Sequence, residues 1–358
     1  MQKRVLGDGL AQDRDNFLLL RFIAAALVIY GHAYAITGGT GLPEIFSWLG
    51  WGTYAGSIGV DLFFVVSGFL VTGSFLRRNL VEGVWARVVR IVPAYACCVV
   101  LSAFLLGTVL TSLPFLEYVR APATRTYVLR HLRFVPGLPQ DLPGVFMGNP
   151  RRANVNGSLW TLPAEVRMYL WAALLRGTGV LERRWLCNVA LAGLFVWGVF
   201  LPRRLPLVPI LDYVRLSGMF ALGACSYVNR DRVPLGWQWF VVLVLLTAVL
   251  RTTAVYPYVF GITETYFVFC FAYCTPWYGF NRMGDYSYGI YLWGFPTQQT
   301  VASHAPSLSP LLNAACSLPV AMLLAAMSWH LLEKPALMAK QWPARIRARG
   351  AEFGKIVR

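Results

Sequence analysis

The sequence predicts an all-α protein: a polytopic membrane bundle of about ten transmembrane helices, with both termini in the cytoplasm. Three observations predict it. Of 358 residues, 57% are hydrophobic and only 13% are charged, against roughly 45–50% and about 25% in soluble domains. Apolar runs long enough to cross a bilayer recur from end to end, which leaves no stretch for a separate soluble domain. The 32 Lys and Arg outnumber the 16 Asp and Glu and fall mostly in short segments between the runs and in the tail. That pattern sets orientation and meets anionic lipid, and it argues against a nucleic-acid partner.

Candidate spans lie at 17–37, 54–76, 88–110, 157–175, 185–201, 207–228, 235–252, 256–275, 283–303 and 310–332. No small-residue cleavage site follows the first run, so it is expected to remain as an anchor. The fourth, fifth and eighth are short or interrupted by polar groups. An even number of spans returns both termini to one side, and cytoplasmic termini place most basic residues inside. The exception is 111–156, which carries Arg120, Arg125, Arg130, Arg133, Arg151 and Arg152 on the outer side. Pro114, Pro122, Pro136, Pro139, Pro143 and Pro150 break this segment. It is expected to be an irregular outer loop with room for one short helix, serving as a lid or as a connector. Residues 1–340 form the predicted membrane domain and 341–358 a basic cytoplasmic tail. The seven Cys lie in or beside apolar runs without a CxxC pair, so they read as packing residues and no metal is expected.

Charged groups at membrane depth are costly and mark function or an ion pair. The first span carries Arg21 near its inner end and His32 near its outer end. Eleven residues are about three turns, so both lie on one face, roughly 16 Å apart. Asp61 in the second span and Glu165 in the fourth reach a layer roughly 8–12 Å below the outer surface, counted from the span starts. His32 lies at the same depth. A His with a carboxylate partner suits general acid–base work near neutral pH. The competing reading pairs each acid with Arg167 or Arg215. At the inner face Arg87 and Arg90 are three apart on one helix side, behind Arg77 and Arg78 and level with Arg21. Clustered guanidinium groups suit phosphate, while the inside-positive bias explains Arg77 and Arg78 alone. A phosphate-friendly inner mouth and an acid–base layer about 16 Å away would be bridged by coenzyme A, whose pantetheine arm is of that length; a polyprenyl or nucleotide phosphate also fits.

Six blocks then occur in order: RFIAAALVIYGH, GVDLFFVVSGFL, WARVVRIVPAY, NGSLWTLPAEVRMYL, GDYSYGIYLWGFP and LLEKP. Together they resemble the acyltransferase 3 family of bacterial membrane O-acyltransferases, from residue 21 to 335. The resemblance implies transfer of an acyl group, usually acetyl from cytoplasmic acetyl-CoA, to a hydroxyl of an O-antigen, exopolysaccharide or lipo-oligosaccharide at the bacterial inner membrane. It implies Arg21 and His32 as the essential pair, Arg87 and Arg90 as the basic motif, and Glu165 as the acidic residue of the fourth span. Some members carry a His after YLW, where this chain has Trp293-Gly294. The chain ends 26 residues after Leu332, as in members without an appended SGNH domain.

On this reading His32 is the general base and Glu165 or Asp61 orients it. Ser67, Ser158 or Trp160 supplies oxyanion donors, and Asp285, Ser287 and Tyr291 are further polar groups. A covalent acyl-enzyme on His32 or Ser67 is the variant, although Ser67-Gly68 also suits helix packing. A proton-coupled secondary transporter is the rival, since buried His, Asp and Glu could form a relay.

Overall fold

The protein is described from a computed structural model that covers residues 4–12, 14–39, 43–200, 210 and 212–343. Of the predicted tail only 341–343 is included; 344–358 and the start of the sixth predicted span, 207–209 and 211, lie outside the described residues. Among the described residues there is no β-strand, only three isolated bridges.

Each of the ten apolar windows holds a helix. In chain order they are α1 (Phe17–Ile36), α2 (Ala55–Arg77), α3 (Leu80–Leu101), α5 (Leu162–Gly177), α6 (Arg184–Phe200), α7 (Asp212–Val228), α8 (Trp237–Val249), α9 (Tyr256–Cys274), α10 (Ser287–His304) and α11 (Pro310–Ser328), with α4 (Pro122–Leu132) in the long loop. Among the described residues, four helical stretches are long and apolar enough to cross a bilayer alone: α1, α2, Leu80–Leu110 and Pro310–Gln341. Their apolar surface makes the chain a membrane protein.

The helix at Leu80 starts eight residues before the predicted window because Asn79 caps it, its Oδ1 accepting from Glu82 N at 2.8 Å. Asparagine at this position satisfies a backbone donor that would otherwise be orphaned. α2 is apolar all round and becomes the central helix, 83% buried against 28% for the last long stretch. It packs on α1 and α7, while α10 packs on α1 and α11.

The described loops gather on two faces. On one, Arg251 donates to Leu49 O and Gly50 O, Tyr256 OH to Trp51 O and Asn149 Nδ2 to Gln299 O. On the other, Leu6 N donates to Val233 O, Asn281 Nδ2 to Asp15 O, Arg176 Nε to Phe75 O and Trp85 Nε1 to Ala339 O. Polar segments at both ends and apolar helices between are the layering a bilayer imposes.

The 111–156 segment is more ordered than the sequence suggested. It holds two short helices, Phe115–Arg120 and α4, rather than one. Among the described residues, every non-glycine residue with positive φ lies in it: Phe134 (50°), Phe146 (53°) and Ala153 (56°). Such backbone persists only where surrounding contacts impose it. α4 supplies one such contact through His131, which is fully buried. Its Nδ1–H donates to Tyr127 O at 2.7 Å, and Tyr95 of α3 stacks on Phe134 at 4.7 Å.

Burial pushes the His131 imidazole down to about 4, while a solvated His titrates near 6.5. The stability that this neutral ring contributes is therefore complete above pH 6.5 and falls progressively as pH drops towards 4. Hydrogen exchange in 115–135, corrected for intrinsic rates, should accelerate between pH 7 and pH 4.5 in the native chain and much less in His131→Phe. Equal acceleration in both would show that another group controls the loop.

Candidate active site

The inner site starts from one carboxylate. Arg21 Nη1 of α1 and Arg90 Nη2 of α3 both donate to Asp285 Oδ2, each at 2.6 Å. Ser287 Oγ donates to the other oxygen at 2.6 Å. Arg90 Nη1 also reaches Glu333 Oε2 at 3.2 Å, and Ser328 Oγ donates to Glu333 Oε1 at 2.9 Å. A π turn over Trp329–Glu333 brings Glu333 inward at the end of α11, a local irregularity frequent at functional sites. Four helices thus meet at a neutralised ion network, α1, α3, the start of α10 and the end of α11.

Among the described residues Arg87, one turn before Arg90, has no ion pair within 4 Å. Its Nη2 donates to Ser74 Oγ at 3.5 Å, its guanidinium lies over the Tyr169 ring at 5.9 Å, and its buried Nε has no partner among the described residues. Lys340 lies within electrostatic reach of Arg77, Arg78, Arg87 and Arg90. The inner mouth therefore keeps positive charge beyond what Asp285 and Glu333 offset.

Two adjoining cavities of about 50 and 60 Å³ run inward from this mouth, with room for a few waters. Both are lined by Arg21, Ser67, Glu165 and Tyr288. One extends to Arg87, Arg90 and Tyr169, the other to Phe63, Thr161 and Tyr291. Glu165 Oε1 accepts from Ser67 Oγ at 2.9 Å and from Tyr169 OH. Tyr291 OH donates to Ser158 O at 2.8 Å and is 2.5 Å from Thr161 Oγ1.

The structure does not assemble the expected base with its carboxylate. Glu165 belongs to the arginine end, not beside His32. Asp61 is ion-paired with Arg215 of α7, so the competing reading holds for this acid. His32 Nδ1 is buried without a partner among the described residues, and the ring packs edge-on against Phe295 at 5.1 Å. Arg167 donates to the carbonyls of Pro163 and Phe134 and pairs with neither acid. Trp160 stacks on Tyr213 at 6.0 Å, while its carbonyl accepts from Tyr213 OH. It lines neither cavity, and neither does Ser158.

The profile of the acyltransferase 3 family, described as an acyltransferase domain, matches residues 15–330. The chain belongs to this family. It is similar to an O-acetyl transferase of Shigella phage Sf6, 29% identical over 352 residues, covering 88% of this chain and 93% of the relative. It is also similar to nodulation protein 10 of Rhizobium leguminosarum bv. viciae, 31% identical over 194 residues, about half of each chain. No solved structure matches it.

Within this acyltransferase 3 chain, the sequence marks Asp285 only as a polar group and assigns no role to Glu333, Tyr169 or Tyr288. The signal for the first two was present in GDYSYGIYLW and LLEKP, acids beside apolar runs whose partners sit more than 190 residues away in sequence. Among the described residues no group of three or more His, Cys, Asp or Glu side chains could hold a metal.

Proposed function

We propose that this acyltransferase is an O-acyltransferase of the bacterial inner membrane. It transfers an acyl group, acetyl by family preference, from cytoplasmic acetyl-CoA to a hydroxyl of a surface or exported glycan, free or lipid-linked. The observation that carries this reading is the placement of α1. Its inner end puts Arg21 in the arginine mouth, and its outer end puts an unpaired His32 roughly 16 Å away, with the Ser67–Glu165–Tyr291 passage lying between these levels.

In the proposed arrangement ten helices cross the membrane and both termini face the cytoplasm, so the mouth meets the nucleotide end of the donor. Arg87 and Lys340 are the cations with spare charge for its phosphates. Arg21 and Arg90 line the entrance while held by Asp285. His32 takes the acceptor's proton, the hydroxyl oxygen bonds the acyl carbon, the C–S bond breaks, and the proton passes to the departing thiolate. Tyr291, which lines the passage one helical turn from the Phe295 that packs on His32, is the hydroxyl donor for the thioester oxygen, while Ser67 shapes the passage nearer the arginine end. The passage as it stands admits a few waters, so the donor arm enters by displacing side chains such as Phe63 and Tyr288.

A proton relay for transport would need His32, Asp61 and Glu165 in one hydrogen-bonded chain. Asp61 and Glu165 instead bond to separate partners, and neither bonds to His32, which favours the enzyme. Thiol release from acetyl-CoA by protein in liposomes, supplied with a glycan extract, tests the proposal. His32→Ala should lower the rate by about 10²–10⁴-fold while inserting normally. Undiminished release in that variant would remove His32 from the chemistry.

A further inference from the structure

His32 lies under a defined roof. One turn beyond Phe295 on α10, Gln299 Nε2 donates to Arg151 O at 2.8 Å and to Asn154 O at 2.6 Å. Gln298 Nε2 donates to Ile29 O at 2.8 Å, three residues before His32 on α1. Pro150 lies against the outer end of α1, 3.4 Å from where a Cβ on Gly38 would sit. The same helix therefore supplies the floor of the imidazole and anchors the Pro150–Arg151 segment above it. Arg151 is the side chain whose charge acts on His32. It is exposed, and no carboxylate among the described residues forms an ion pair with it.

This arrangement is incomplete for a base. An imidazole that accepts a proton becomes a cation, and a neighbouring guanidinium disfavours that form. Histidine bases are ordinarily stabilised by a carboxylate, but here Asp61 is occupied by Arg215 and Glu165 by Ser67 and Tyr169. We infer that the missing negative charge arrives with the acceptor, whose carboxylate or phosphate group docks on Arg151 beside the hydroxyl presented to His32. This deepens the acyl-transfer reading and rests on it. An anion between guanidinium and imidazole neutralises the first and stabilises the protonated second, so the base is competent only when the right acceptor is bound. Water, which brings no charge, is then a poor acceptor, and the thioester is spared hydrolysis.

The test is footprinting of His32 in full-length protein in liposomes. Carbethoxylation by diethyl pyrocarbonate is followed at this residue by mass spectrometry, with millimolar glucuronate, glucose 6-phosphate or glucose. At least one anionic sugar should slow modification of His32 by five-fold or more, glucose should not, and Arg151→Gln should lose the protection. Which anion protects separates carboxylate from phosphate. Protection by glucose equal to that by the anions, protection by neither anion, or protection unchanged in Arg151→Gln would overturn the inference. Thiol release measured in parallel reports separately on acyl transfer.

Discussion

Replacing Asp285 by Ala should lower the unfolding free energy by about 3–5 kcal/mol, the cost of stripping one partner from a buried ion pair. The side chains concerned are well shielded, Arg21 at 21% and Arg90 at 16% exposed. Arg90 keeps Glu333, but Arg21 loses the only carboxylate it pairs with among the described residues. Two guanidinium groups that converged on one oxygen would then repel, and Arg21 would swing into the passage it shares with Ser67 and Glu165. Activity should fall at least ten-fold along with the melting temperature.

Asp285→Asn separates charge from shape. It retains an oxygen that can accept from either arginine, so a variant as unstable as Ala would show that the charge holds the site together. Melting and thiol release close to wild type in Asn would show that hydrogen bonding alone suffices. An unchanged Ala variant would mean that the network contributes nothing. Fluorescence-detected gel filtration after heating, beside initial rates of thiol release, reads both quantities.

How far this site was legible in the sequence depends on which distances a sequence carries. Arg87 and Arg90 are three apart on one helix, so their shared face follows from helical geometry. Arg21 joins them because each sits within the first turns of an inner helix end. The structure does not bring His32 and Glu165 together. Counting helical rise from the membrane surface places Glu165 near the level of His32, yet Gly157–Thr161 is a buried 3₁₀ turn within the bundle. Glu165 therefore meets Ser67, twelve residues into α2 and roughly 18 Å from its outer end, well below the level of Asp61. The Asp61–Arg215 pairing was open to the sequence only as one of two candidates. Choosing between them required knowing that α7 lies beside α2, and helix order is a property of packing that no periodicity encodes. The helices themselves were readable because backbone groups in a bilayer must be satisfied within each segment.

That neighbour relation has its own sequence basis, and it carries the other large expected effect. A Cβ at Gly68 would sit 2.0 Å from Phe220 O, and one at Gly223 would sit 2.2 Å from Val65 O. The obstructing atoms are backbone on both sides of the α2–α7 crossing, so no rotamer change can relieve the contact. Small residues at such crossings let membrane helices approach closely where no hydrophobic drive between them exists. Gly68→Ala or Gly223→Ala should cost at least about 1–3 kcal/mol, the usual penalty of overpacking, and Gly68→Leu should leave little folded protein. The injury should also reach the chemistry. Ser67 precedes Gly68, so moving α2 away from α7 shifts the hydroxyl that Glu165 holds at 2.9 Å. Thiol release from the surviving Gly68→Ala protein should therefore fall further than its folded fraction does. Equal falls would confine Gly68 to packing, and a variant that melts with the wild type would show that the two helices can separate without loss.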